Sequence, residues 1–249
     1  VATASGTVRI VAPNVEQSSM GHAITASRPL SFRATRIVGP EAFRVNGTPA
    51  HCVSLGAFKW GNVDLVLSGC NLGFNLGNSI WHSGTLAGAK QAALLGLRGI
   101  AFSAPSGMDD FSSLKPWMQR VLETLIEAME LTLVNVNLPR DPRGLIWTRV
   151  SVRQYDGVIV PTKDPMGREL YWSSVTPLEG AEEGTDRWAI EQNWISLTPL
   201  CLDLTDQPLL AQCREQRPLD EELAAKISPP RSSPDAARSV QKEESVDRV

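Results

Sequence analysis

The sequence predicts an α/β fold: a three-layer sandwich with a mostly parallel sheet, followed by an extended β-hairpin. Three observations carry that prediction. Short apolar runs bounded by Gly, Pro and Asn recur between stretches of helical spacing, the pattern of β–α–β units. The run Val63-Asp64-Leu65-Val66-Leu67 leads into a stretch rich in Gly, Asn and Ser, and a helix of small and apolar residues follows. After residue 145 the periodicity turns to alternation around a turn, as in a hairpin.

Taken in order, residues 8–13 read as a strand closed by proline, and residues 14–22 as a polar loop. Residues 24–45 alternate and contain Pro29 and Pro40, which predicts short extended pieces. Asn46-Gly47-Thr48-Pro49 is a turn signal, with a short helix over 50–57. The strand at 63–67 runs into the Gly- and Asn-rich loop. A helix over 85–97, stopped by Gly99, leads to a strand at 100–103. Residues 114–131 place Trp117, Val121 and Leu125 on one helical stripe, with Leu122, Ile126 and Met129 beside it. A strand at 134–139 follows, and the order implies parallel strands with right-handed crossovers. Residues 147–155 read as a long alternating strand that Val158-Ile159-Val160 continues. Asp164-Pro165-Met166-Gly167 is the turn, 169–173 the return strand and 194–200 a final strand. The organisation expected is an α/β core over 1–145, a hairpin and C-terminal region over 146–217, and a charged, disordered tail over 218–249.

A net charge of −3 gives no sign of a basic surface for duplex nucleic acid. The longest apolar runs are strand-sized, so neither a membrane-spanning helix nor a signal peptide is expected. Cys52, Cys70, Cys201 and Cys213 form no C-x-x-C pair and read as free thiols of a cytoplasmic protein. No G-x-G-x-x-G follows the first strand, which argues against a dinucleotide-dependent oxidoreductase. The tryptophans Trp60, Trp147, Trp172, Trp188 and Trp194 suit a core or subunit interface better than base stacking.

The stretch from Ser68 to Gly88 joins the carboxyl end of a strand to the amino end of a helix, where open α/β sheets bind ligands. Free N–H groups and the helix dipole make that end an anion site. Ser83, Gly84 and Thr85 stand at the tip, where Ser83 also suits plain N-capping. Asn75 is a further amide in the same loop. His82, beside it, suits either a proton donor or an orienting role.

Several blocks in this order carry a family resemblance. Ser68-Gly69-Cys70-Asn71, Asn75-Leu76-Gly77 and His82-Ser83-Gly84-Thr85 form the central signature. Ala12-Pro13 with Glu16-Gln17-Ser18, and Gly47-Thr48-Pro49-Ala50 with Cys52-Val53, precede it. Asn135-Val136-Asn137-Leu138-Pro139, Asp164-Pro165-Met166-Gly167-Arg168, Gly184-Thr185-Asp186 and Ser196-Leu197-Thr198-Pro199-Leu200 follow. The set resembles the SurE family of metal-dependent nucleoside monophosphate phosphatases. The resemblance implies a Rossmann-like fold and hydrolysis of nucleoside 5′- or 3′-monophosphates. It implies a divalent cation, Mg²⁺ or Mn²⁺, with Ser18 and Asn71 among its ligands. It makes Ser83, Thr85 and His82 candidate catalytic residues, and Asn75, Ser83, Gly84 and Thr85 the phosphate cradle. A homodimer or homotetramer built through the hairpin and C-terminal segment is expected, with no membrane partner.

Two departures bear on that reading. The family's N-D-D-G motif, whose aspartates hold the metal, is absent, and Asp109-Asp110 lies after a different strand. The chain begins with Val where the family has passed that motif, so a fragment is expected, or a relative that binds nucleotide or assembles without catalysis. A chain truly beginning at Val1 would lack an inner strand and is expected to be poorly stable. His51 stands where the family usually has Asp, and reads as a substitution on a turn. His22 reads as a loop histidine, with the Ser18 cleft as its alternative setting.

Overall fold

The computed structural model describes residues 1–152 and 155–216. β1 (Arg9–Pro13), β2 (Phe32–Thr35) and β3 (Glu41–Val45) form a three-stranded sheet in the order β1-β3-β2. β3 runs parallel to β1 and antiparallel to β2. Phe32 stacks on Phe43, and Trp60 of α1 (Pro49–Trp60) meets Phe32 edge-on. Pro49 opens α1 at a position where its missing N–H costs nothing, and Gly61 at φ 63° ends it. The helix is therefore longer than the predicted 50–57.

The second sheet has five strands. β4 (Leu65–Leu72), β5 (Arg98–Ala104) and β6 (Leu133–Asn137) run parallel. β7 (Leu145–Trp147) and β10 (Ile195–Pro199) complete the order β4-β5-β6-β10-β7, with β10 antiparallel to β6. Strand alternation sorts the side chains between two helical layers. Ile100, Phe102, Val134 and Val136 pack with Val121, Leu122 and Leu125 of α3 (Lys115–Glu127). Ala101 and Leu133 meet Leu86 and Ala89 of α2 (Gly84–Leu94) on the other face. α2 comes very close to the sheet, because a Cβ on Gly99 would lie 2.2 Å from the Ala89 carbonyl oxygen.

The structure corrects several sequence expectations. The central signature begins inside β4 and not after it: the strand runs to Leu72, with its register shifting between Ser68 and Asn71. Gly69 allows this at φ 125°, where a Cβ would strike the Phe102 carbonyl oxygen at 2.3 Å. Gly96, and not Gly99, stops α2. It adopts φ 75°, and the N–H groups of Gly96 and Leu97 bond back to Ala93 and Ala92 in a Schellman turn. α3 ends at Glu127, short of residue 131. Residues 147–155 are not one strand. β7 ends at Trp147 in the main sheet, and β8 (Tyr155–Lys163) belongs to the separate hairpin with β9 (Glu169–Pro177). Two short helices were not legible: α4 (Asp186–Glu191) and α5 (Gln207–Gln216).

Val1–Leu202 forms one compact unit, and a second begins at Asp203. β7 and β10, which follow residue 145 or begin at it, are strands of the five-stranded sheet. The expected disordered tail lies outside the described residues. No described helix is long and apolar enough to cross a membrane.

The contact at Gly99 yields a prediction. Gly99→Ala forces α2 away from β5 and lowers stability by about 1–3 kcal/mol, the usual cost of overpacking. A urea midpoint equal to that of the unaltered protein would refute this.

Candidate active site

Five pieces of chain converge on one cavity of about 790 Å³. They are the end of β1 with the turn after it, Pro49 at the start of α1, the end of β4 with the residues after it, the amino end of α2, and Val175 of β9. Every residue singled out from sequence as a candidate lines it: Ser18, Asn71, Asn75, His82, Ser83, Gly84 and Thr85. His22 does not. Its Nε2 lies 2.8 Å from Gln91 Oε1 on α2, away from the cavity lining.

The tip of α2 supplies donors. Ser83 caps the helix by accepting the Leu86 N–H at 3.0 Å. That leaves the Ser83 proton for another acceptor, so capping and ligand contact are compatible. The N–H groups of Gly84 and Thr85 lie in the first turn, where no intrahelical acceptor exists. The backbone at Gly84 is closely approached: a Cβ there would lie 3.3 Å from the Gln17 carbonyl oxygen and 3.3 Å from Pro49 Cγ, so one or both would have to yield.

Acceptors line the same cavity. Ser18 Oγ donates to Glu16 Oε1 at 2.6 Å, so its lone pairs remain for a ligand. Asn71 Nδ2 donates to the Gly73 carbonyl at 2.7 Å, which fixes the side-chain amide orientation. Mg²⁺ and Mn²⁺ take hard oxygens and draw most of their binding energy from carboxylates. Ser18 and Asn71 fit the neutral part of such a donor set. Among the described residues, Glu16 is the only carboxylate lining the cavity, and no group of His, Cys, Asp and Glu forms a metal-ligand cluster. The described residues therefore do not make a complete divalent-cation site by themselves.

Asn75 is buried and clamped on all sides. Its Nδ2 donates to Ser103 Oγ at 2.6 Å, and its backbone N–H donates to Asn137 Oδ1 at 2.9 Å. Its carbonyl accepts from Asn135 Nδ2 at 2.8 Å and Asn137 Nδ2 at 3.1 Å. Just beyond, Asp186 is fully buried. Oδ2 accepts the Gly77 N–H at 2.9 Å, and Oδ1 accepts the N–H groups of Ser151 and Arg187 at 2.8 Å each. Sequence reasoning placed Asn135, Asn137 and Asp186 in family blocks without a role. The signal was present in Val134-Asn135-Val136-Asn137: on a strand buried throughout, alternating Asn marks a polar face with something to hold.

The buried thiols offer no nucleophile. Burial pushes Cys70 up to about 11 and Cys52 up to about 12, so both stay protonated at neutral pH. None of the four cysteines is in a disulfide.

Residues 1–157 match the family model of the survival protein SurE. The chain is similar to the 5′-nucleotidase SurE 1 of Thermus thermophilus, 44% identical over 210 residues that cover 81% of this chain and 84% of that protein. The 5′-nucleotidase SurE of Deinococcus radiodurans is 40% identical over 222 residues, covering 85% and 83%. Among solved structures, the SurE protein from Aquifex aeolicus superposes with a TM-score of 0.73 at 34% identity, covering 86% of this chain and 90% of that one.

The Asp186 contacts predict a large loss on truncation. Asp186→Ala strands three backbone donors and costs about 2–5 kcal/mol in urea unfolding. A loss under about 1 kcal/mol would contradict the role assigned to the carboxylate.

Proposed function

The chain belongs to the SurE family, and on that premise we propose that it is a phosphomonoesterase acting on nucleoside 5′- or 3′-monophosphates. The observation that carries the reading is the shared cavity. Donors at the helix tip, the neutral oxygens of Ser18 and Asn71, and exposed apolar side chains at Val15, Leu72 and Val175 border one space. The phosphate sits on the donors, and the apolar side chains take the ribose and base.

In this reading the phosphate oxygens accept from the Gly84 and Thr85 N–H groups and from the Ser83 and Thr85 hydroxyls. Charge grows on those oxygens in the transition state, and donors already in place stabilise it without reorganisation. Asn75, held by the sheet, keeps the loop in register with the tip. Water forms the new bond to phosphorus as the ester bond breaks and gives up a proton to solvent, while His82 at the exposed rim protonates the departing oxygen. The family's divalent cation belongs to the proposal, with Ser18 and Asn71 as neutral ligands; when bound, it polarises a phosphoryl oxygen.

The test is phosphate release from AMP and GMP, as 5′ and 3′ isomers, with Mg²⁺ or Mn²⁺. Release that EDTA abolishes is the expected outcome; none under any of these conditions rejects hydrolysis. A second reading, a nucleotide-binding or assembly protein without catalysis, is favoured by the incomplete metal-ligand set among the described residues. Calorimetric binding of AMP without turnover would select it.

The hairpin supports assembly as a homodimer or homotetramer. Ile159, Leu170, Tyr171 and Trp172 are all at least half exposed on two strands that pair only with each other. Sedimentation is expected to give a dimer or tetramer that Trp172→Asp weakens; a monomer at micromolar concentration would refute it. A cytoplasmic location is proposed with it, in keeping with cysteines outside disulfides, and cell fractionation reads it directly.

A further inference from the structure

The segment that carries Ser18 is docked through a buried imidazole. His51 is 5% exposed and lies at the third position of α1. Both of its ring nitrogens face backbone N–H groups. Thr48 N lies 3.0 Å from Nδ1, and Thr25 N lies 2.9 Å from Nε2. A neutral imidazole has one N–H and one bare nitrogen, so it accepts at only one of these positions.

The Thr48 hydroxyl decides which. Oγ1 donates its proton to the Ala23 carbonyl at 2.9 Å and lies 2.9 Å from Nδ1. With that proton committed, Oγ1 is an acceptor toward the ring, so a hydrogen on Nδ1 completes the pair. Nε2 is then bare and accepts the Thr25 N–H. The opposite tautomer sets Nε2–H against the Thr25 N–H and a bare Nδ1 against the Oγ1 lone pairs. It keeps only the Thr48 N–H contact. The first arrangement gives up the Thr48 N–H contact, leaving that N–H beside Nδ1–H, but still makes one more bond with the ring than the second and so wins.

These contacts fix one end of a span. Asn14 N donates to the Val45 carbonyl at 2.8 Å at the start, and Gly21 N to the His82 carbonyl at 2.9 Å midway. The tie at Ala23 and Thr25 closes it, with Glu16 and Ser18 at the cavity between the anchors. We propose that His51, as the Nδ1–H tautomer, is a positioning residue that holds the Ser18 segment at the cavity through Nε2 and the Thr25 N–H. Its effect on substrate rests on the nucleotide reading above; the tie itself does not.

Two substitutions separate the tie from the helix cap. Asn places its polar atoms near Nδ1 and can serve the cap alone. Gln reaches the Nε2 position and can still accept from Thr25. In the unaltered protein, imidazole ¹⁵N shifts should show Nδ1 protonated and Nε2 bare. Losing one buried hydrogen bond is worth about a fivefold to tenfold change. His51→Asn should therefore speed hydrogen exchange at the Thr25 amide about tenfold and raise KM for AMP by a similar factor with kcat little changed. His51→Gln should restore both. An Nε2–H tautomer, or equal Thr25 exchange in the two variants, overturns the proposal. A protein that hydrolyses no nucleotide overturns the functional reading instead, and the shifts and exchange still decide the tie. If either variant fails to fold, the tautomer of the unaltered chain decides alone.

Discussion

The close seat of α2 on the sheet is the constraint on which the site depends. Two glycines permit it. A Cβ on Gly88 would lie 2.5 Å from Ser68 Oγ, and one on Gly99 would meet the Ala89 carbonyl. Without side chains at these points the helix lies against β4 and β5, and its first turn ends level with their carboxyl ends. The donors of Gly84 and Thr85 then have a fixed address. A site that stabilises charge by preorganised dipoles needs such an address, because donors that must first be moved into place lose part of their advantage. Packing of small residues is thus the cause of the electrostatics.

The same economy explains the polar side of the sheet. Asn135 and Asn137 point to the α2 face of β6, where an aliphatic pair would bury more apolar surface. They hold the Asn75 carbonyl and N–H instead, and Asp186 holds Gly77 two residues on. Thr148, Ser196 and Thr198 extend the polar face with hydroxyl contacts of 2.7 to 3.3 Å. A buried network of this kind adds little net stability when satisfied and costs heavily when broken. What it secures is a single loop conformation. The loop between β4 and α2 therefore behaves as an extension of the sheet.

How much of this was readable beforehand follows from whether a feature is local. The strands at β1, β5 and β6, the α2 N-cap and the hairpin turn are set by short-range pattern and turn chemistry, and each stood at its predicted place. The end of β4 was misread because glycine and asparagine signal a loop, while pairing with β5 overrides that signal. β7 was merged with β8 because alternation continues across residues that belong to different sheets. The cavity members were legible through ordered blocks. The groups that hold them, Ser103, Asn135, Asn137 and Asp186, act across 28 to 109 residues of separation, which no local spacing reports. His51 looked like a turn substitution for a related reason: its partner Thr25 lies 26 residues away.

The two walls of the cavity also differ in polarity of hydrogen bonding, and that difference orders the ligand. Ser18 has given its proton to Glu16, and Asn71 has turned its amide nitrogen to Gly73. Toward a ligand this wall presents oxygen lone pairs and one carboxylate. The α2 tip presents N–H groups and hydroxyl protons to the same cavity. In the proposed reading a phosphate lies at the helix tip, away from lone pairs, and positive charge is favoured at the Ser18 side. A neutral sugar gains less from such a division than an anion, and a helix N-terminus accepts phosphate, sulfate or carboxylate alike. In the proposed reading it is the arrangement of proton donors, more than the identity of any one residue, that favours an anionic group at the α2 tip.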